Sequence, residues 1–140
     1  MINTDRVKSF WETRGKKWQQ IPFESIANLE ENPELLKLKV ELEQDKIMPL
    51  LSLSTDKRVL DLGAGVGQWA LRLAPKVKEV VAVEYMSSFV EIGKSESLKR
   101  QIKNITFLTA PAEDFIIDSK FDLIYISGLF VCLNQKKKKK

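Results

Sequence analysis

Three glycines spaced two apart, Gly63, Gly65 and Gly67, interrupt the run VLDLGAGVGQWA at residues 59–70. No other feature constrains the fold of this chain as tightly. An apolar run containing an acid (Val59, Leu60, Asp61, Leu62) leads into the glycines, and a helix-like run leads out from Gln68. Strand, glycine turn and helix in that order open a βαβ nucleotide-binding unit. The turn needs glycine because the backbone must bend sharply and lie against a ligand, where a Cβ would intrude.

The segments downstream extend the same unit. Trp69, Ala70 and Leu73 mark a short helix stopped near Pro75. EVVAV at residues 79–83 is a continuous, mostly β-branched run, as expected of a parallel strand buried on both faces, and Glu84 closes it. Ser87 is expected to cap a helix through about residue 102, with Phe89, Val90 and Leu98 among its apolar positions. NITFL at residues 104–108 and FDLIYI at residues 121–126 read as two further strands. The alternation predicts an open α/β sheet built by right-handed crossovers.

Upstream, Asn32-Pro33-Glu34 is a helix start: a capping side chain, a proline at the first position and an acid in the first turn. Leu35, Leu38 and Leu42 are expected to share one face of that helix, which runs toward Ile47 and Met48 before Pro49. Ser54-Thr55-Asp56-Lys57 is a polar connector to the first strand. Earlier still, the spacing of Val7, Phe10, Trp11 and Trp18 puts most of them on one helical stripe. Such a stripe packs a segment onto its domain; a sharper reading makes the segment a lid over a ligand, with Arg14 reaching in. Ile21-Pro22-Phe23 marks a break.

Composition narrows the chemistry. The chain has 140 residues, 44% hydrophobic and 30% charged, as expected of one globular domain. It has no histidine and a single cysteine, Cys132, so a His-based triad, an internal disulfide and a cysteine-cluster metal site are excluded, and no metal site is expected. No apolar run approaches a membrane span, and the N-terminus lacks an apolar signal core, pointing to a cytoplasmic protein. The net charge is +4, but five of the basic residues are Lys136–Lys140, and without them the balance is −1. The basic pI therefore belongs to the tail, and charge gives no support for a nucleic-acid partner.

The dinucleotide fingerprint would place its third glycine at position 68, where Gln68 stands. With Asp61 ahead of it, Gly63-x-Gly65-x-Gly67 instead resembles the first motif of class I S-adenosylmethionine-dependent methyltransferases. Three more of that family's motifs follow in order: an acid ending the second strand (Glu84 in VVAVEYMS), the region after strand three (LTAPAEDF), and a fourth strand reading FDLI.

The resemblance implies a Rossmann-like sheet of order 3-2-1-4 with S-adenosyl-L-methionine as cofactor. Asp61 and the backbone of Gly63, Ala64, Gly65 and Gly67 would then meet the methionine part. Glu84, 21 residues after the first glycine, would accept from the ribose hydroxyls. Tyr85 and Met86 would lie against adenine, and Ala112 and Glu113 would meet its edge, with Pro111 standing where many relatives carry Asp or Asn. FWETRGKKW resembles a W-x-x-R segment found ahead of the first motif, which would bring Arg14 to the cofactor carboxylate.

The family's strands five to seven are missing, so residues 57–135 read as an incomplete cofactor domain. Residues 1–56 read as a helical N-terminal extension, and residues 136–140 as a disordered tail. The fourth strand would be a bare edge through which copies could associate. The loop after it, Ser127-Gly128-Leu129-Phe130, lacks the Asn-Pro-Pro-Tyr/Phe signature of enzymes that methylate nucleic-acid amines. The expected acceptor is a small molecule or glycan, with no nucleic acid, no membrane and no assigned catalytic residue. The rivals are a non-catalytic cofactor-binding fragment or heteromer half, and a nicotinamide-dependent oxidoreductase.

Overall fold

The computed structural model of the protein describes residues 2–116 and 118–133. The lysine run at 136–140 and the end of GLFVCLN at Asn134 lie outside them. Four parallel strands form one sheet: β1 (Arg58–Leu62), β2 (Glu79–Glu84), β3 (Ile105–Thr109) and β4 (Leu123–Tyr125). Their order is β3-β2-β1-β4, as the resemblance implies. The register sets Val59 beside Val80 and Asp61 between Ala82 and Tyr125. Helices α4 (Gln68–Leu73) and α5 (Ser87–Lys99) join the first three strands. Val59, Trp69, Leu73, Val80, Ala82 and Tyr125 form the core between sheet and helices.

Ahead of the sheet come α1 (Thr4–Lys16), α2 (Ser25–Asn28) and α3 (Pro33–Ile47). The α3 start is the one expected, with the Asn32 side chain accepting from the amides of Glu34 and Leu35. Its leucine face is not the inward one. Leu35, Leu38 and Leu42 each stay close to half exposed, while Leu36 is buried. The inward stripe runs instead through Leu36, Val40, Glu43 and Ile47, one position round from the face those three leucines share.

Other boundaries move for physical reasons. Helix α1 ends at Lys16, so Trp18 leaves the stripe and opens a 3₁₀ turn. Met86, not Ser87, is the N-cap residue of α5, and it has no side-chain cap. That helix stops at Lys99, with Leu98 turned to solvent. Strand β4 covers only three of the six expected residues, and Ile124 is half exposed.

Candidate cofactor site

The carboxyl ends of β1 and β2 are clipped together at the glycine turn. The amides of Gly63 and Ala64 both donate to the Val83 carbonyl, at 2.8 and 2.9 Å. Gly63, Gly65 and Gly67 all hold positive φ, which a side-chain residue adopts only with strain. A Cβ on Gly63 would lie 2.9 Å from the Leu129 side chain, so the loop after β4 closes directly over the turn. Glu84 ties the arrangement together. Its Oε2 accepts from the Gly65 amide at 2.9 Å and its Oε1 from the Met86 amide at 2.8 Å. The Ala110 amide donates to the Glu84 carbonyl, which brings the end of β3 to the same edge.

Above this edge lies a cavity of about 740 Å³, in the size range of sites that hold a small ligand. Asp61, Gly63, Ala64 and Gly65 line one part of it, and Glu84, Tyr85 and Met86 another. Ala112 and Glu113, in the turn after β3, complete that second part. Helix α1 supplies a wall through Thr4, Lys8 and Trp11. The Lys8 ammonium sits 5.5 Å from the Tyr85 ring centre, and Trp11 meets Phe89 edge-on at 6.1 Å.

Two expected residues are not among those lining the cavity. Gly67 packs under the turn, where a Cβ would strike the Phe107 ring at 2.8 Å. Arg14 donates to the carbonyls of Ser25 (2.7 Å) and Ile26 (3.0 Å), which ties α1 to α2. The family resemblance implies a contact with the cofactor carboxylate; in the structure the guanidinium is bonded to backbone carbonyls instead. Gln68, which broke the dinucleotide pattern, has a related duty. Its Nε2 donates to the carbonyls of Phe23 and Glu24, anchoring the N-terminal segment to the helix that follows the glycines.

The electrostatics are lopsided. Asp61 is buried and its Oδ2 has no hydrogen-bond partner. Burial pushes its carboxyl up to about 7; the Ala70 amide opposes the rise and the Glu84 charge adds to it. Burial also raises Glu84, against the amides of Met86, Gly65 and Tyr85. An orphaned, buried carboxylate oxygen beside a cavity is costly unless a donor or cation meets it. An amino-acid ammonium is such a group, so these residues fit a ligand with a methionine-like end. Ser127 and Leu129 of the loop after β4 also face the cavity, as do Lys8 and Glu43, which no sequence motif marks.

A profile described as a methyltransferase domain matches residues 59–140. The chain belongs to this family, the class I S-adenosylmethionine-dependent methyltransferases. Phosphoethanolamine N-methyltransferase 1 of Triticum aestivum is 30% identical over 137 residues, which is 95% of this chain and 26% of the relative. The Arabidopsis thaliana enzyme of that name is 32% identical over 97 residues, 67% of this chain and 19% of its own length. Among solved structures, phosphoethanolamine N-methyltransferase 1 of Haemonchus contortus, in complex with phosphoethanolamine and S-adenosylhomocysteine, superposes with a TM-score of 0.78. The identity there is 26%, over 94% of this chain and 26% of that one. This methyltransferase domain thus spans about a fifth to a quarter of the length of these relatives. The family leaves the nicotinamide reading without support. Among the described residues, no helix is long and apolar enough to cross a membrane.

Proposed function

We infer that this chain holds S-adenosylmethionine in the cavity at the carboxyl edge of its sheet and serves methyl transfer to a small amine. In this reading residues 57–135 carry the cofactor, and residues 1–56 wall the site. Asp61 receives the ammonium of the methionine part, and the open backbone at Gly65 lets that part lie close. Glu84, already fixed by two amides, offers its remaining lone pairs to the ribose hydroxyls. Tyr85 and Met86 flank the adenine, and Ala112 and Glu113 lie at its edge.

When bound, the cofactor would supply a methyl group on a sulfonium; the acceptor amine, having passed one proton to solvent, would bond the methyl carbon as the carbon–sulfur bond broke with its electrons on sulfur. The protein's own part is to orient the reactants and exclude water, for which α1 and the loop at Ser127 to Leu129 are placed. Phosphoethanolamine is the first acceptor to test, since relatives named for it match along nearly the whole chain. The single observation that carries the cofactor reading is the buried, unpartnered Asp61 Oδ2 beside the cavity. Calorimetry with S-adenosylhomocysteine tests it. Saturable binding is expected, and no binding at millimolar ligand by a folded sample would sink it.

A further inference from the structure

Glu43 is a carboxylate on the inward stripe of α3, otherwise occupied by Leu36, Val40 and Ile47, and it faces the cavity. Arg72 of α4 stands behind it. The guanidinium lies 3.9 Å from Glu43 Oε2 and 4.9 Å from the Trp69 ring centre, and its side chain is only 10% exposed. Both Nη1 and Nη2 are buried without a hydrogen-bond partner. Burial pulls the Arg72 pKa down, and Glu43 is the strongest of the charges that support it. A buried guanidinium with empty donors is expensive to keep, and the nearest charge it can hold in place is Glu43. Arg72 does not line the cavity, but Glu43 does.

Glu43 therefore adds a carboxylate to a cavity that Asp61 already lines, along with Glu84, Glu113, Asp5 and Asp114. Tyr125, packed on Trp69 with ring centres 4.8 Å apart, feels the negative charge of both Glu43 and Asp61. The two come from different elements, Asp61 from β1 and Glu43 from α3. A methionine-type cofactor has one amino group, and the orphaned oxygen of Asp61 answers it. Glu84 is already engaged by the Gly65 and Met86 amides, and Glu43, beside Arg72, adds its carboxylate from the helical side of the cavity, where a cationic partner would offset it.

We propose that Glu43, positioned by Arg72, binds the amino group of the methyl acceptor, in its ammonium form on arrival. This rests on the reading that Asp61 meets the cofactor's ammonium. Glu43 is the binding residue and Arg72 a positioning residue that keeps its carboxylate aimed.

The test uses the full chain saturated with S-adenosylhomocysteine, titrated with phosphoethanolamine and with ethyl phosphate, which lacks the amine. The unaltered protein is expected to prefer phosphoethanolamine at least about tenfold, as one charge-assisted hydrogen bond allows. Glu43→Gln should abolish the preference while changing the S-adenosylhomocysteine Kd less than about twofold. Arg72→Met should do the same and Arg72→Lys should restore part of the preference, a rescue that a purely structural role would not produce. The proposal is overturned if Glu43→Gln keeps the preference, if it weakens S-adenosylhomocysteine equally, or if the unaltered protein shows none. Failure of S-adenosylhomocysteine to bind a folded sample would instead remove the cofactor reading, and this proposal with it.

Discussion

The Oε2 of Glu84 accepts the amide of Gly65 at 2.9 Å, across nineteen residues and two strand ends. The acid that closes β2 is thus a strut for the turn that follows β1, and its other oxygen fixes the amide of Met86 at the entry to α5. A ligand bridging these elements meets a loop already held in shape. Preorganisation of this kind lowers the ordering cost of binding.

Glu84→Ala removes both duties at once. The S-adenosylhomocysteine Kd is expected to rise at least about tenfold, since charge-assisted bonds contribute about 1.5–3 kcal/mol each. The α/β circular dichroism should survive, because the sheet core at Val59, Val80 and Ala82 is untouched. Calorimetry on a folded variant decides it, and an unchanged affinity would remove Glu84 from the ribose role.

Asp61 makes a pH prediction with two opposite signs. Its carboxyl is raised from 3.8 to about 7 in the fold, so between those values the native state holds a proton that the unfolded chain has lost. The contribution of Asp61 to apo stability is therefore present below pH 3.8 and is lost as pH rises toward 7. The full effect is bounded by about 4 kcal/mol at roughly 1.4 kcal/mol per pKa unit. Asp61→Asn should remove that decline, so the melting curves of the two proteins should diverge as pH rises from 4 to 7. Binding of S-adenosylhomocysteine should run the other way and strengthen as pH passes 7, where the ionised carboxylate can pair with the ligand's ammonium. Parallel pH profiles for the two proteins would remove Asp61 from both effects.

What was legible in the sequence was whatever the backbone dictates locally. The glycine turn, the β-branched run before Glu84 and the Asn32-Pro33 helix start each carry a short-range signature, and the strand order β3-β2-β1-β4 is the one the family resemblance implies. The phase of α3 was hidden because Leu35, Leu36, Leu38 and Leu42 occupy more than one face, so periodicity alone could not say which side meets the sheet. Gln68 and Arg14 hid their partners for a different reason. Both bond to main-chain carbonyls, at Phe23 and Glu24 and at Ser25 and Ile26, and a carbonyl acceptor leaves no mark on residue type. Glu43 is one acid among several on a helix that no motif covers.

Helix α1 reaches its place through a close approach. Gly15 is buried against α5, and a Cβ there would lie 2.9 Å from Phe89 Cε1. Gly15→Val should force the helices apart at a cost of about 1–3 kcal/mol, partly offset by relief of the glycine's own helix penalty. If α1 is the wall of the cofactor cavity, S-adenosylhomocysteine should also bind more weakly. Affinity that holds steady while the melting temperature falls would show that α1 braces the fold without serving the ligand.

Arg14 separates two roles that a single substitution would confound. Its two bonds to the Ser25 and Ile26 carbonyls make it a structural tie between α1 and α2, and the Ser25 hydroxyl extends that tie by donating to the Glu30 carbonyl at 2.6 Å. Arg14→Ala should therefore lower stability by about 2–4 kcal/mol, allowing 1–2 kcal/mol for each charged donor lost at a half-buried site. The ligand comparison is sharper than the melt. S-adenosylhomocysteine carries an α-carboxylate and 5′-methylthioadenosine does not, so a direct contact with that carboxylate would weaken only the first. The hydrogen bonds seen here predict that the variant loses affinity for both by the same factor, through a loosened α1. A selective loss for S-adenosylhomocysteine would return Arg14 to the cofactor site, and would require its guanidinium to leave both carbonyls when the ligand arrives.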